Sequence, residues 1–183
     1  ILTASRPGEI RKAEWSEIDL KNRRWTIPAS RMKAGREHIV PLCNEAVAII
    51  ENLPRMAGSN LIFNAAKGGA ISDNGMRNVL IRMHEQDVSK GGQGYVDPKP
   101  DNSIVTAPGF RSTFAERAAS PGDFAAAAAE VALAHVNSDA TRSAYKRDEL
   151  IEDRARMMAR WGNFLSTPVG DGGNVVEIAR SGT

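Results

Sequence analysis

Arg6, Lys33, Arg111, His135 and Tyr145 supply, in chain order, a guanidinium, an ammonium, a second guanidinium, an imidazole and a phenol. Those groups are the parts needed to break a phosphodiester without metal or activated water. The reaction requires a nucleophile, charge stabilisation at phosphorus and a proton for the leaving oxygen. Two arginines can clamp the non-bridging oxygens with permanently charged forks. Cations fixed in that way stabilise the charge that develops at phosphorus. A tyrosine hydroxyl attacks once it is deprotonated or steered, and its phosphotyrosine conserves the bond energy, so rejoining needs no ATP. Each residue also has an ordinary reading. Arg6 and Arg111 suit helix surfaces, although Arg6 stands at a helix start, which the helix dipole makes a poor place for a cation. Lys33 suits a solvated hairpin, His135 a helix C-terminus and Tyr145 a partly buried packing position.

These side chains depend on elements that the sequence outlines. Ser5-Arg6-Pro7-Gly8-Glu9 opens a helix that should run to about Trp15, with Ser5 as cap and Pro7 in the first turn. The residues Ile1, Leu2 and Thr3 read as the close of an apolar helix that begins upstream. Short strands are expected at Glu17–Leu20, Arg24–Pro28 and His38–Leu42, the second because Trp25 and Ile27 alternate with Arg24 and Thr26. Ser30 to Arg36 is then a basic loop inside a small antiparallel meander. Asn44 can cap a helix that places Val47, Ile50 and Leu53 on one side, and Leu61–Phe63 reads as extended. Ser72 can cap a helix carrying the stripe Met76, Val79, Leu80 and Met83. Glycines and prolines from Asp87 to Ser103 suggest a long mobile loop. Thr106 can cap a helix from Ala107 to Ala118, and Ser120 to Asp123 is a turn. The alanine-rich run to Leu133 is helical by propensity. Asn137-Ser138-Asp139 opens the helix of Tyr145, and a last helix presents Ile151, Ala155, Met158, Trp161 and Leu165 to the core. The expected fold is mainly α with a small antiparallel β-sheet (α+β). Residues 1–166 form one domain, and in the tail 167–183 Val175, Val176 and Ile178 suit one short strand.

The bulk numbers agree with a globular domain. The chain has 183 residues, 42% hydrophobic and 25% charged, which is enough for a packed core and unlike a disordered chain. The longest uninterrupted apolar run, Phe124 to Ala129, is far too short to span a bilayer, and the first residues do not resemble a signal peptide. One cysteine, Cys43, and three histidines make neither an intrachain disulfide nor a zinc site, and fit a reducing cytoplasm. Neither a Gly-Lys-Ser/Thr phosphate loop nor a serine nucleophile elbow is present. Net charge is only +2, but Arg23, Arg24, Arg31, Lys33 and Arg36 crowd one stretch, and Arg142, Lys146 and Arg147 surround Tyr145. Such clusters are either solvated faces or nucleic-acid contacts.

Taken in order, TASRPGEIR, RMKAGREHIVPL, TAPGFRSTF, LAHVNSD and AYKR resemble the boxes of the tyrosine recombinases, particularly the integrases of phages and genomic islands. Any one box is weak; the ordered set around a basic hairpin is specific, and it covers Ile1 to about Leu165. The resemblance implies a site-specific DNA recombinase from a mobile genetic element, bacterial or phage-encoded and cytoplasmic. It would work on double-stranded DNA as a homotetramer, with no cofactor and no metal. It also implies roles. Tyr145 would be the nucleophile, Arg6 and Arg111 the phosphate-binding arginines, His135 a phosphate hydrogen-bond partner and Lys33 the proton donor to the leaving 5′ oxygen. Glu9 matches the acidic residue of the first box; it would orient the site, or else serve as a helix-favouring first-turn carboxylate. Arg31, Arg36, Arg142, Lys146 and Arg147 would contact DNA phosphates. His38 reads as a decoration of the third strand and His84 as a surface residue.

One position departs from the family pattern. Three residues before Arg111, where the family usually has histidine, stands Pro108. A helix's first turn tolerates proline because no intrahelical hydrogen bond is lost there. Proline can neither give nor take a side-chain proton, and losing one acid–base group typically costs about 10²–10⁴ in rate. An active recombinase and a catalytically impaired, DNA-binding integrase remnant are therefore both compatible with the sequence. A nicking topoisomerase of related chemistry fits the boxes less well.

Overall fold

A computed structural model describes residues 1–97, 102–119, 126–134 and 150–168. Among them, six α-helices surround a three-stranded antiparallel sheet, the architecture expected from the sequence. The strands β1 (Ile18–Asp19), β2 (Arg24–Ile27) and β3 (His38–Pro41) lie side by side in chain order. Trp25 pairs with Val40 and Ile27 with His38; all four are buried, whereas Arg24 faces solvent, so the period-two pattern of β2 sets the register. The helices are α1 (Pro7–Arg11), α2 (Asn44–Glu51), α3 (Asp73–Ser89), α4 (Ala107–Ala118), α5 (Ala126–Ala132) and α6 (Ile151–Ser166).

Two apolar clusters hold these elements. One joins the sheet to α2 through Trp25, Ile27, Met32, Val40, Leu42, Ala46 and Ile50. The other is helical: Phe114 and Ala118 of α4, Ala128, Ala129 and Ala132 of α5, and Met157, Met158 and Trp161 of α6. Alanines let α5 approach α6 closely, and Phe114 meets Trp161 edge-on at 5.4 Å. Where α6 crosses the start of α2 there is no room for a side chain. A Cβ on Gly162 would lie 2.9 Å from Cys43 Sγ.

Several boundaries differ from the sequence expectation. The first helix ends at Arg11, and a 3-10 turn at Trp15–Glu17 follows. Its N-cap is Arg6, because Ser5 spends its hydroxyl on the Thr3 carbonyl. The first residues form a turn closed by Ala4 N–H to Ile1 O at 3.1 Å, not a helix end. Cys43, not Asn44, is the N-cap of α2, and Asn44 instead accepts a hydrogen bond from Arg23. Asp87 to Ser89 still belongs to α3, and the following stretch is paired: Asp97 N–H donates to Ser103 O and Val105 N–H to Tyr95 O. His84 is half-buried and accepts from Tyr95 N–H, which ties that stretch to α3. In the α3 stripe, Val79 and Met83 are exposed.

The largest difference lies in α6. Its buried face is Arg154, Met157, Met158, Trp161 and Gly162, while Ala155 and Leu165 are exposed. Spacing alone admits both faces, since the two stripes share Met158 and Trp161; the actual one carries a buried arginine. No helix of the described residues is long and apolar enough to cross a membrane. The turn expected at Ser120 to Asp123 and the strand expected at Val175 to Ile178 lie outside the described residues.

Candidate active site

Arg6 caps α1 with extended backbone, φ −71° and ψ 148°, and Pro7 opens the helix without forfeiting an intrahelical bond. A cation beside a helix N-terminus needs compensation, which Glu9 supplies. Its carboxylate accepts from Arg6 N–H at 2.7 Å and from Arg6 Nη1 at 3.0 Å. Glu9 is only 4% exposed, whereas the Arg6 side chain remains about a third exposed, at 32%. The pair presents a guanidinium to the surface from a buried carboxylate base.

Arg111 reaches the same place from α4. Thr106 caps that helix by accepting from Gly109 N–H at 3.2 Å, which starts the helix so that Arg111 falls in its second turn. The Arg111 guanidinium donates to two backbone carbonyls, those of Ala4 and Leu133. Ala4 itself has positive φ, at 49°, and so does Ala134, at 48°, directly after Leu133. A left-handed alanine costs roughly 1–2 kcal/mol, so both acceptor segments carry local strain where they meet this arginine. Burial lowers the Arg111 pKa from its ordinary value, the charge of Arg6 lowers it further, and Glu9 opposes both. Arg6, Glu9 and Arg111 are thus electrostatic neighbours, two cations around one carboxylate.

Lys33 lies between β2 and β3. After β2 a 3-10 turn, Ala29–Arg31, bends the chain, Met32 inserts into the sheet-side core at 6% exposure, and Gly35, at φ +62°, donates its N–H to Met32 O at 2.9 Å. Lys33 is exposed on this anchored loop, and Arg36 is exposed further along it. Arg31 is held by the protein instead. Its Nη1 donates to Glu9 O at 2.9 Å and its Nη2 pairs with Glu17, whose Oε2 also accepts from Trp25 Nε1 at 2.9 Å. Pro108 is exposed in the first turn of α4, one turn before Arg111.

Two buried residues back this arrangement, and the sequence reading did not single them out for it. Arg154 of α6 is 2% exposed and donates to Ile39 O of β3; burial lowers its pKa to about 10. His38 is 7% exposed, on the inner side of β3 rather than at the surface. Burial first, and then the charge of Arg154, lowers its pKa to about 4; a hydrogen bond with the Ala132 backbone opposes this, and Arg111 and Arg6 add to the lowering. His38 is therefore neutral near pH 7 and sits among three arginines. The available signal for Arg154 was its position three and four residues before Met157 and Met158, on their face of the helix. Glu17 gave none, because a carboxylate beside a short strand is ordinary.

His135, Arg142, Tyr145, Lys146 and Arg147 lie outside the described residues. What the described part assembles is a pair of half-buried arginines beside a lysine-bearing loop. Such a surface can bind a phosphate and neutralise charge on it.

The sequence model of the phage integrase family matches residues 1–150. The prophage integrase IntA of Escherichia coli (strain K12) is 33% identical over 178 residues, covering 96% of this chain and 39% of that protein. The integrase of Shigella phage Sf6 is 27% identical over 171 residues, covering 91% of this chain and 40% of that protein. This chain therefore spans about two fifths of the length of these curated relatives. Among solved structures, the Tn1549 transposon integrase (aa 82-397), in complex with circular intermediate DNA, superposes with a TM-score of 0.53 at 16% identity. That superposition covers 79% of this chain and 56% of that one, and it shows a shared fold.

Proposed function

The chain belongs to the phage integrase family, and on that premise we propose that it cleaves and rejoins double-stranded DNA at a specific site through a 3′-phosphotyrosyl intermediate on Tyr145. The observation that carries this reading is the approach of Arg111 to Arg6. Two half-buried guanidiniums share the single carboxylate of Glu9, which leaves the site net positive, and a bound anion relieves both their repulsion and their desolvation. A phosphodiester with two non-bridging oxygens suits two guanidinium forks.

In the proposed step the Tyr145 hydroxyl releases its proton to solvent, its oxygen attacks phosphorus and the bond to the 5′ oxygen breaks. Lys33 delivers its proton to that oxygen, and a free 5′ hydroxyl leaves. Arg6, Arg111 and His135 hold the non-bridging oxygens, and Glu9 fixes Arg6. A 5′ hydroxyl from a partner duplex reverses the attack and restores the backbone. The reaction as written draws on no cofactor. Four copies around two duplexes would exchange strands in pairs, in the cytoplasm, where such DNA is found. The tail 167–183 would dock through a short strand, on its own protomer or on a neighbouring one, and regulate cleavage. The Tn1549 integrase, bound to circular intermediate DNA, supports the DNA partner.

Pro108 favours a second reading, a remnant that binds DNA through the same arginines and no longer cleaves it. Covalent trapping separates the two. The protein is offered a randomised pool of nicked duplexes with a sulfur-bridged leaving group, alongside Tyr145→Phe and Pro108→His. An adduct that disappears with Tyr145→Phe establishes the nucleophile and an active site that tolerates Pro108. An adduct from Pro108→His alone makes the natural sequence a binding relic, and none from either the natural sequence or Pro108→His counts against Tyr145 as the nucleophile.

A further inference from the structure

We infer that Arg31 is a positioning residue that sets the Lys33 loop against the Arg6 helix, and that it is not a contact to the DNA backbone. Position and charge in the sequence place Arg31 with the other basic residues of its loop, but its surroundings in the fold differ. Its side chain is only 16% exposed, and both terminal nitrogens are engaged. One takes the carbonyl of Glu9, near the end of α1, where helix carbonyls lack intrahelical partners. The other pairs with Glu17, whose side chain is 10% exposed and which also receives the Trp25 indole N–H of β2. The charge of Arg31 is therefore neutralised within the protein, and its planar fork joins three segments: α1, the turn before β1, and the turn that leads into Met32 and Lys33.

Glu9 makes the connection specific. Its carboxylate holds Arg6 and its carbonyl holds Arg31. The arginine proposed to bind phosphate and the loop that carries the proposed proton donor are thus fixed to one residue. Met32 secures the loop from beneath by burial, which leaves the lateral placement of Lys33 to Arg31. A lysine at position 31 would keep the charge but could not span both acceptors, because a single ammonium lacks the rigid fork.

The inference rests on the reading of Lys33 as proton donor to the leaving oxygen, and the test keeps the two apart. Arg31→Ala, Arg31→Lys, Glu17→Gln and Lys33→Ala are compared on nicked duplexes from a randomised pool, with either an oxygen or a sulfur bridge at the scissile position. A thiolate leaves without a proton, so sulfur restores cleavage wherever proton delivery is the defect. Lys33→Ala should lose about 10²–10⁴ on oxygen and recover on sulfur. Arg31→Ala and Arg31→Lys should lose about 10²-fold on oxygen, the scale on which a displacement of about 1 Å acts, and should likewise recover on sulfur. Glu17→Gln should show the same pattern more weakly. The salt dependence of binding to a random-sequence duplex should be unchanged in Arg31→Ala, which also shows that the variant is folded. Recovery of Lys33→Ala without recovery of the Arg31 variants would overturn the inference alone. So would a salt slope reduced by about 1 in Arg31→Ala with normal activity in Arg31→Lys, the signature of a phosphate contact. Failure of sulfur to rescue Lys33→Ala would remove the proton-donor reading and this inference with it.

Discussion

The sheet side and the helical side of this molecule each hold buried or half-buried arginines, and they hold them differently. On the sheet side, Arg6 rests on Glu9 and Arg31 on Glu17. On the helical side, Arg111 donates to the carbonyls of Ala4 and Leu133, and Arg154 to that of Ile39. A carboxylate offsets the charge of the arginine it orients, closely for Arg31, which is largely buried with Glu17, and less so for Arg6, whose guanidinium remains a third exposed. A carbonyl orients the arginine and leaves its charge in place, and burial then lowers the pKa, as it does for both Arg111 and Arg154. Fixing a guanidinium by neutral acceptors at a surface that must receive phosphate keeps the electrostatic attraction for the substrate. The acid-held Arg31, by contrast, is suited to holding the scaffold in place.

Several measurements would break or sharpen this contrast. The largest effect is expected from Arg111→Lys, which keeps a charge but cannot reach two carbonyls and a phosphate at once. Cleavage should fall about 10²–10³-fold, about 2.7–4 kcal/mol of transition-state stabilisation. Unlike the Arg31 defect, this loss should persist with a sulfur leaving group, because charge on phosphorus rather than proton delivery is affected; equal rescue of both would erase the distinction.

A second effect of similar size concerns His38. Its pKa is lowered from 6.5 in the unfolded chain to about 4 in the fold. The folded state therefore binds fewer protons between those values, and stability falls as pH drops from 6.5 towards 4. In full this amounts to about 3 kcal/mol. Denaturant titrations at both ends of that window should show His38→Gln losing less stability on acidification than the parent. Parallel acid limbs would mean that the imidazole is not confined among the arginines.

The smallest effect is expected where an arginine is merely exposed. Arg156 pairs with Asp153 on the outer face of α6, with side chains 68% and 36% exposed. Thermal denaturation of Arg156→Gln should show a change of about 0.5 kcal/mol or less. A larger loss would mean that acid pairing matters for stability even at the surface, against the contrast drawn between the two buried regions.

Much of the fold was legible because its signals are local. Thr106 with Pro108 announces the start of α4, the alternation through Trp25 and Ile27 announces β2, and the alanine run announces α5. Where the reading failed, a tertiary partner had won. The helix after Pro7 is cut short as the chain turns into Trp15–Glu17, where Trp15 N–H donates to Asn60 O and Ile62 N–H to Ala13 O. The Gly-rich stretch after α3 pairs with residues near Ile104 that spacing could not reveal. The α6 stripe admitted two faces, and the one in use buries Arg154 because β3 offers a carbonyl there.

The sequence by itself determined the order of the boxes, the identities of Arg6, Lys33 and Arg111, and the Thr106 cap that starts the helix of Arg111, since caps and periodicity act within a turn or two. Only the tertiary structure decided which arginines are held inside the scaffold and which stay open to a phosphate. The acceptors of Arg111 lie 107 and 22 residues away, that of Arg154 lies 115 away, and those of Arg31 lie 22 and 14 away. A guanidinium is the same residue in every setting. What it does depends on whether the fold brings it a carboxylate or a carbonyl, and chain spacing does not encode that difference.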